Sequence, residues 1–173
     1  LKDIIPILPS DIDNFVDLFA GGLNVGINVS ANAIYANDHI VFLSEMYMYF
    51  QKHDIDEILK KIDDTIKKYN LSKENKEGYI ELRKEYNNSK NVMDLFVLTC
   101  YSFNHQIRFN SKHEYNVPFG KNRSSYNESI KRNLIRFITA LQQNNYIFSN
   151  KDFSKFDFSV LHEGDVVYCD PPY

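Results

Sequence analysis

The chain has 173 residues, a formal net charge of −3, and hydrophobic and charged fractions of 43% and 25%. These fractions are typical of a folded globular protein rather than a disordered one, and the length allows one core with room for an inserted subdomain. The acidic balance argues against a protein that coats nucleic acid over its whole surface, although it is compatible with a local basic face. No apolar run approaches the ~20 residues of a membrane span, so no membrane partner is predicted.

The first part of the chain has the pattern of a parallel α/β sheet. The stretch NFVDLFAGG predicts a buried strand entering a glycine turn, LNVGINVSA fits the start of a helix, and AIYAND predicts a second strand ending at Asp38. Strand, glycine turn, helix, strand and acid in this order form the opening of a sheet that can bind a nucleoside.

The central part of the chain is predicted to be helical. Apolar residues recur at steps of three and four between Ile55 and Tyr69, which indicates an amphipathic helix. A second helical stretch is predicted up to about Tyr86, and NVMDLFVLTCYSF is predicted to be a buried helix. Ser125 and Glu128 stand at capping-box spacing and predict the start of a further helix.

The last part returns to the strand pattern. NYIFSNKDF predicts a third strand ending at Asp152 and Phe153, and DVVYCDPPY predicts a fourth. The fold class is therefore α/β, with a partial Rossmann-like sheet interrupted by a mostly helical insert. The two parts of the sheet domain are predicted at residues 1–44 and 144–173, and the helical insert is predicted at residues 45–143.

The glycine turn and the acid that follows it predict a ligand site. Gly21 and Gly22 let the backbone approach a ligand closely because no side chain intrudes, and Asp38 can hold a ribose diol by paired hydrogen bonds. The Gly-x-Gly-x-x-Gly spacing is absent, which disfavours a nicotinamide or flavin cofactor and favours a nucleoside without pyrophosphate. The alternative interpretation of the glycine pair is a plain turn.

The sequence DPPY carries the clearest chemical signal. The prolines end the strand ladder because neither can donate a backbone hydrogen bond, and they leave the carbonyls of Asp170 and Pro171 facing outward. These carbonyls and the Asp170 carboxylate can accept both hydrogens of a planar amino group while Tyr173 stacks on the attached ring, which frees the nitrogen lone pair for attack. The alternative is a strand-terminating turn with an incidental tyrosine.

In this order, DLFAGG, AND, RFNSKHEYNVPFG and DVVYCDPPY closely resemble the Dam-like (alpha-group) S-adenosylmethionine-dependent DNA adenine-N6 methyltransferases. DPPY alone is shared with other amino methyltransferases, whereas the segment at residues 108–120 is much more specific, with Tyr115 where phenylalanine is common. The resemblance implies a methyltransferase sheet and direct transfer of a methyl group from S-adenosylmethionine to an adenine flipped out of duplex DNA. It implies neither a covalent enzyme intermediate nor a metal.

The resemblance also assigns residues to sites, and makes the helical insert the target-recognition domain. The residues implied at the cofactor are Phe19, Ala20, Gly21, Gly22, Asp38, Asp152, Phe153 and Asp170. Those implied at the target base are Asp170, Pro171, Pro172 and Tyr173. Those implied at DNA are Arg108, Asn110, Asn116, Lys121 and Arg123.

The cysteines and histidines predict no metal or disulfide. Cys100 and Cys169 lie in apolar runs typical of free thiols, which favours the reducing cytoplasm. The spacing of His105, His113 and Cys100 fits no metal site.

The family normally has a segment with Lys and Gly before the first strand and further strands after DPPY. The chain is therefore expected to be a piece of a larger enzyme, truncated at both ends and binding cofactor weakly by itself. A cognate restriction endonuclease is a candidate partner. The alternatives are an amino methyltransferase acting on RNA or protein glutamine, which residues 108–120 argue against, and a non-catalytic DNA-binding module of the same fold.

Overall fold

The computed structural model describes residues 1–171, which fall into two compact units. The first, the sheet unit, consists of residues 1–52 and the chain from residue 136 onward. The second, the helical unit, consists of residues 53–135. The helical unit is a continuous insertion, and its ends lie inside those of the predicted insert 45–143. Its role in target recognition stays a prediction.

Within residues 1–171 the sheet unit contains four parallel strands: β1 (Ile12–Asp17), β2 (Ala31–Asn37), β3 (Tyr146–Ser149) and β4 (Val166–Tyr168). Their spatial order is β3-β2-β1-β4, which confirms the predicted parallel α/β sheet. The chain order reverses at β1, because β2 and β3 lie on one side of it and β4 on the other. In open parallel sheets, ligands bind beyond the carboxyl ends of the strands at such a reversal.

The segments around the strands differ from the prediction in two places. The expected helix start at LNVGINVSA is a single 3-10 turn, Gly26–Asn28, because Leu23 takes a positive φ of 58° and Val25 and Val29 turn into the core. The third strand ends at Ser149, and Asp152 instead caps a 3-10 turn by accepting the Ser154 N–H.

Helix α1 (Val41–Lys52) belongs to the sheet unit and follows β2 directly. It buries Leu43, Met46, Tyr47 and Phe50 along one face. The helix begins at Val41, four residues before the helical insert was predicted to begin at residue 45, and its first two residues, Val41 and Phe42, are half-buried.

The helical unit confirms the predicted helices α2 (Ile55–Lys68), α3 (Lys76–Ser89) and α4 (Val92–Tyr101). The side chains of Asp54, Asn75 and Asn91 cap their first turns by accepting backbone N–H groups. In α2, acids in the first turn and lysines in the last turn complement the helix dipole.

Helix α5 (Glu128–Gln143) begins in the helical unit and ends in the sheet unit. The predicted capping box at Ser125 is wrong, because the cap is Asn127. Its Oδ1 accepts the N–H groups of Ser129 and Ile130, at 3.0 Å each. Among residues 1–171, no helix combines the length and the apolar character needed to cross a bilayer.

Candidate cofactor cleft and nucleic-acid interface

A cavity of about 570 Å³, here called the large recess, opens at the carboxyl ends of β1, β2 and β3. It is bordered by Leu18, Phe19, Gly21, Asn37, Asp38, His39, Ile40, Lys151, Asp152, Phe153 and Asp170. A cavity of about 180 Å³, the small recess, shares Phe19, Gly21 and Asp170 with it. The small recess is otherwise bordered by Asp17, Ala20, Gly22, Asn24, Val25 and Tyr168.

The fold therefore brings every residue predicted at the cofactor to the borders of these adjoining recesses. Asp170 borders both recesses, and its predicted contact with both cofactor and target base stays a prediction. Pro171 is exposed, and Pro172 and Tyr173 lie outside the described residues. What the recesses bind stays a prediction.

The glycine turn after β1 is held from both sides. Gly21 has a φ of +47°, a left-handed conformation that glycine adopts without steric cost. Its N–H donates to Asp38 Oδ2 at 2.8 Å, and its carbonyl accepts the Tyr47 hydroxyl at 2.7 Å. Burial raises the pKa of Tyr47, and the negative charges of Asp38 and Asp17 raise it further, so this hydroxyl stays protonated as a donor.

Asp38 closes the turn and still has acceptor capacity. Its Oδ1 accepts the Ile40 N–H at 2.8 Å, while Oδ2 accepts Gly21. Each carboxylate oxygen has a second lone pair, and the half-buried side chain borders the large recess. Asp38 can therefore accept hydrogen bonds from the hydroxyl groups of a ligand while it keeps its bonds to Gly21 and Ile40.

Asn37, which the sequence analysis did not single out, is buried and borders the large recess. Its Nδ2 donates to the carbonyls of Leu18 and Lys151, at 3.2 and 3.0 Å. Its Oδ1 accepts the Ser149 hydroxyl at 2.6 Å and the Lys151 N–H at 3.0 Å. An amide directly after the run AIYA, at the carboxyl end of β2, was the signal in the sequence that could have identified it.

Aromatic rings border the large recess. The ring centroids of Phe19 and Phe153 are 5.5 Å apart with an interplanar angle of 41°, and Phe153 is 46% exposed. The Asp152 carboxylate bonds to the hydroxyl and the N–H of Ser154, which lowers its pKa. Its predicted place beside a cofactor adenine stays a prediction.

Carboxylates concentrate negative charge at the small recess. Asp17 is only 2% exposed, and burial raises its pKa to about 6, with the Gly26 N–H opposing that rise and the charges of Asp38 and Asp170 adding to it. The Tyr168 hydroxyl lies 3.4 Å from the exposed Asp170 carboxylate. These negative charges favour a cationic group in the small recess. The sequence analysis missed Asp17, the last residue of β1, because an acid within the run NFVDLFAGG gives no local sign that it borders a ligand site.

In the helical unit, the chain at residues 108–116 folds back as a hairpin, with Phe109 and Tyr115 paired antiparallel. Arg108 donates from Nε to Asn116 Oδ1 at 2.9 Å and from its guanidinium to the Asn116 carbonyl at 3.3 Å. Asn110 Oδ1 accepts the N–H groups of Lys112 and Glu114, at 2.9 and 3.0 Å. The structure thus brings together the predicted DNA residues Arg108, Asn110 and Asn116, and it gives each a structural role in the hairpin.

The hairpin is supported by α3. Asn87 exchanges two hydrogen bonds with the Tyr115 backbone, at 2.7 and 3.2 Å. The Tyr79 hydroxyl donates to the Val117 carbonyl at 2.9 Å, and Lys90 Nζ donates to the His113 carbonyl at 2.7 Å. These bonds hold the hairpin in one conformation while its outer side chains stay exposed.

The chain continues from the hairpin through a tight turn after Gly120. A Cβ at Gly120 would lie 2.7 Å from the Ser102 carbonyl oxygen and 2.6 Å from Ser124 Cβ, so only glycine fits. The predicted DNA residues Lys121 and Arg123 are exposed in this turn. Within residues 1–171, no group of three or more His, Cys, Asp or Glu side chains is arranged to hold a metal ion.

Comparison with known proteins places the chain in a family. Over residues 1–173 it matches the model described as D12 class N6 adenine-specific DNA methyltransferase. It is 47% identical over its whole length to the Type II methyltransferase M.FokI of Planomicrobium okeanokoites, covering 27% of that protein. It is 43% identical over its whole length to the modification methylase StsI of Streptococcus sanguinis, covering 26% of it.

A more distant relative is the DNA adenine methylase of Haemophilus influenzae (strain ATCC 51907 / DSM 11121 / KW20 / Rd), which is 30% identical over 64% of this chain and 45% of that protein. The chain spans about a quarter of the length of the first two relatives. Since the family model matches the whole chain, the chain belongs to the D12 class N6 adenine-specific DNA methyltransferase family.

Proposed function

We propose that this chain forms the cofactor-binding and target-recognition part of a site-specific enzyme that methylates the N6 amine of adenine in duplex DNA, with S-adenosylmethionine as the methyl donor. The observation that carries the proposal is the pair of adjoining recesses that share Phe19, Gly21 and Asp170. The reaction is inferred from the family to which the chain belongs, and the adjoining recesses offer space in which the methyl donor and the target amine can lie next to each other.

The residues at the recesses fit S-adenosylmethionine. The Phe19 and Phe153 rings offer apolar faces to a purine, and Asp38 offers acceptors to a ribose diol. Asp17 and Asp170 give the small recess a negative surrounding that suits an ammonium and a sulfonium group. When bound, S-adenosylmethionine supplies an electrophilic methyl group.

The contribution of the chain to catalysis is to hold and orient the adenine amine. The carboxylate of Asp170 and the backbone carbonyls of Asp170 and Pro171 accept the amine hydrogens, which directs the nitrogen lone pair away from these acceptors. Asp170 is exposed at the junction of the recesses, so an incoming base can reach it. Fixed acceptors of this kind accelerate a reaction by positioning and by stabilising developing charge.

The helical unit supports a role in DNA recognition. Its hairpin at residues 108–116 is held by the Asn87 side chain, which bonds to the Tyr115 backbone, and the adjoining Val117 carbonyl is held by the Tyr79 hydroxyl, so little ordering entropy is lost on binding. Arg108 is exposed on this hairpin, and Lys121 and Arg123 are exposed beyond it. We assign Arg108, Asn110 and Asn116 to base or backbone recognition and Lys121 and Arg123 to phosphate contacts.

The relatives are named as a Type II methyltransferase and a modification methylase. We propose the same context for this chain, in which a cognate restriction endonuclease acts at the same DNA sites. The free thiols Cys100 and Cys169 support a protein of the reducing cytoplasm.

The test is methyl transfer by the full-length protein. With labelled S-adenosylmethionine and mixed-sequence duplex DNA, we expect label on adenine N6. Asp170→Ala should lower turnover by roughly 10²–10³-fold or more, since it removes an acceptor used in the transition state. DNA binding should remain measurable.

The matched control is Asp157→Ala. Asp157 is also exposed and caps a 3-10 turn, but it borders neither recess, so the turnover of this variant should stay near that of the unmodified protein. Absence of label on adenine with the unmodified full-length protein would contradict the proposal.

A further inference from the structure

We propose that Asn37 is a positioning residue that sets the separation of the opposite walls of the large recess, and so the affinity for the nucleoside bound there. The identity of that ligand rests on the proposed function. The hydrogen bonds that define the role of Asn37 do not.

The amide of Asn37 has no hydrogen-bonding capacity left for a ligand. It is 1% exposed, its two N–H groups donate to the carbonyls of Leu18 and Lys151, and its oxygen accepts from Ser149 and Lys151. An amide side chain has two donor hydrogens and two acceptor lone pairs, and these bonds use all four. Asn37 therefore acts on the site through its partners.

These partners belong to opposite walls of the recess. One wall is the chain leaving β1, with Leu18 and Phe19, and the other is the chain leaving β3, with Lys151 and Phe153. Asn37 is the last residue of β2, which lies between β1 and β3 in the sheet. A single side chain thus bonds to both walls.

The position of Asn37 gives these bonds their effect. The regular pairing of β1 with β2 ends at Asp17, and that of β2 with β3 ends at Ser149. Beyond these residues the amide of Asn37 continues the connection across the sheet, together with a bond from the Ala20 N–H to the Asn37 carbonyl at 2.8 Å. The rings of Phe19 and Phe153, one on each wall, contact each other with their centroids 5.5 Å apart.

Removal of the amide should let the walls shift. The carbonyls of Leu18 and Lys151 and the Lys151 N–H would each lose a buried partner, and such groups reorganise or admit water to regain one. A recess whose walls have shifted then loses affinity for the nucleoside, while groups that bind at the small recess are little affected.

The test uses Asn37→Ala in the full-length protein, with Asn14→Ala as the matched control. Asn14 is also a buried asparagine in the sheet unit, and its amide bonds to Asp165 at 2.9 Å. It lies roughly 13 Å along β1 from Leu18, given the rise per residue of a strand. Both variants lose a buried amide, but only Asn37→Ala loses one at the recess.

The measurement is the dissociation constant for S-adenosylhomocysteine and for 5′-methylthioadenosine, by calorimetry. We expect Asn37→Ala to weaken both ligands by a similar factor of roughly 10- to 100-fold, because both contain the nucleoside, and Asn14→Ala to change either by less than about threefold. Affinity within threefold of the unmodified protein in a folded Asn37→Ala variant would overturn the inference. So would an equal loss in Asn14→Ala.

Amide hydrogen exchange without ligand gives a second readout. Asn37→Ala should accelerate exchange on both walls, at residues 18–20 and 151–153, whereas Asn14→Ala should not. If the unmodified protein binds no S-adenosylhomocysteine, the proposed function fails and Asn37 is judged by exchange alone. Acceleration on both walls then supports the positioning role, and acceleration on one wall or neither overturns it.

A milder variant covers the case in which Asn37→Ala does not fold. Ser149→Ala removes only the hydroxyl that donates to Asn37 Oδ1. It should weaken both ligands by roughly threefold, since one neutral hydrogen bond is lost. Unchanged affinity in this variant would count against the role of Asn37.

Discussion

The sheet unit and the helical unit use buried hydrogen bonds for different purposes. In the sheet unit, Asn37 and Asp38 connect chain segments that diverge from the ends of neighbouring strands, and a recess remains between those segments. In the helical unit, Tyr79 and Asn87, both residues of α3, hold one continuous segment against that helix. The first arrangement makes a concave site, and the second supports an exposed hairpin.

This difference predicts that the units respond differently to substitution. The turn at Gly120 in the helical unit leaves no room for added atoms, so a change there should act mainly on stability, whereas a change on the exposed hairpin should act on binding. The strand ends of the sheet unit carry charged and polar groups whose burial costs stability, so changes there should separate stability from binding.

The largest expected effect is that of Gly120→Ala on the helical unit. The added Cβ would lie 2.7 Å from the Ser102 carbonyl oxygen and would also meet the buried Ser124, neither of which can move freely. We expect a loss of about 2–4 kcal/mol in the free energy of unfolding, measured by chemical denaturation.

The matched control for Gly120→Ala is Gly22→Ala in the sheet unit. There the nearest atom to an added Cβ is the exposed Asn24 side chain at 3.2 Å, which can give way. The free energy of unfolding of the Gly22→Ala variant should therefore stay close to that of the unmodified protein. Equal destabilisation by the two substitutions would break the contrast between the units.

The next effect is the pH dependence of Asp17→Asn. The folded-state pKa of Asp17 is about 6 against an ordinary 3.8, so the folded state binds the proton more tightly than the unfolded state. Asp17 therefore costs no stability below about pH 4, and the cost grows between pH 4 and 6 and is constant above. A difference of this size corresponds to about 3 kcal/mol.

We expect Asp17→Asn to match the unmodified protein in stability near pH 4 and to exceed it above pH 6, since the amide oxygen can still accept the Gly26 N–H. Denaturation curves at several pH values measure this. Parallel pH profiles for the two proteins would contradict the assigned burial cost. If the charge serves a cationic ligand, the stabilised variant should also bind S-adenosylhomocysteine less tightly.

The smallest effect is that of Arg108→Ala on DNA recognition. The substitution removes an exposed guanidinium from the hairpin, and we expect a loss of about 1–3 kcal/mol in DNA binding with relaxed site preference, while cofactor affinity changes less. Fluorescence anisotropy with specific and non-specific duplexes measures the loss of DNA affinity and the loss of site preference.

Asn116→Ala distinguishes contact from positioning at Arg108, because it removes the hydrogen-bond partner and leaves the guanidinium. Lys60→Ala, on the exposed face of α2, controls for lost surface charge. Because Asn116 is itself assigned to DNA recognition, equal losses of DNA affinity in Arg108→Ala and Asn116→Ala indicate that Arg108 acts by holding the hairpin only if both variants also lose stability in chemical denaturation. A DNA effect no larger than that of Lys60→Ala would refute a role for Arg108.

Features that depend on neighbours in sequence were predictable. The periodic apolar residues of α2 and α3, the strands before Gly21 and Asp38, and the parallel sheet follow from side-chain spacing and turn residues within a few positions. The grouping of the predicted cofactor residues followed as well, because the carboxyl ends of parallel strands meet at one edge of the sheet.

Only the tertiary structure decided which polar groups hold that edge together. Asn37 bonds to Lys151, 114 positions away, and Tyr47 bonds to Gly21, 26 positions away, so no local pattern marks either pair. Hydrogen bonds between distant segments form only once strand order has brought those segments together, and one sequence read locally does not contain that order.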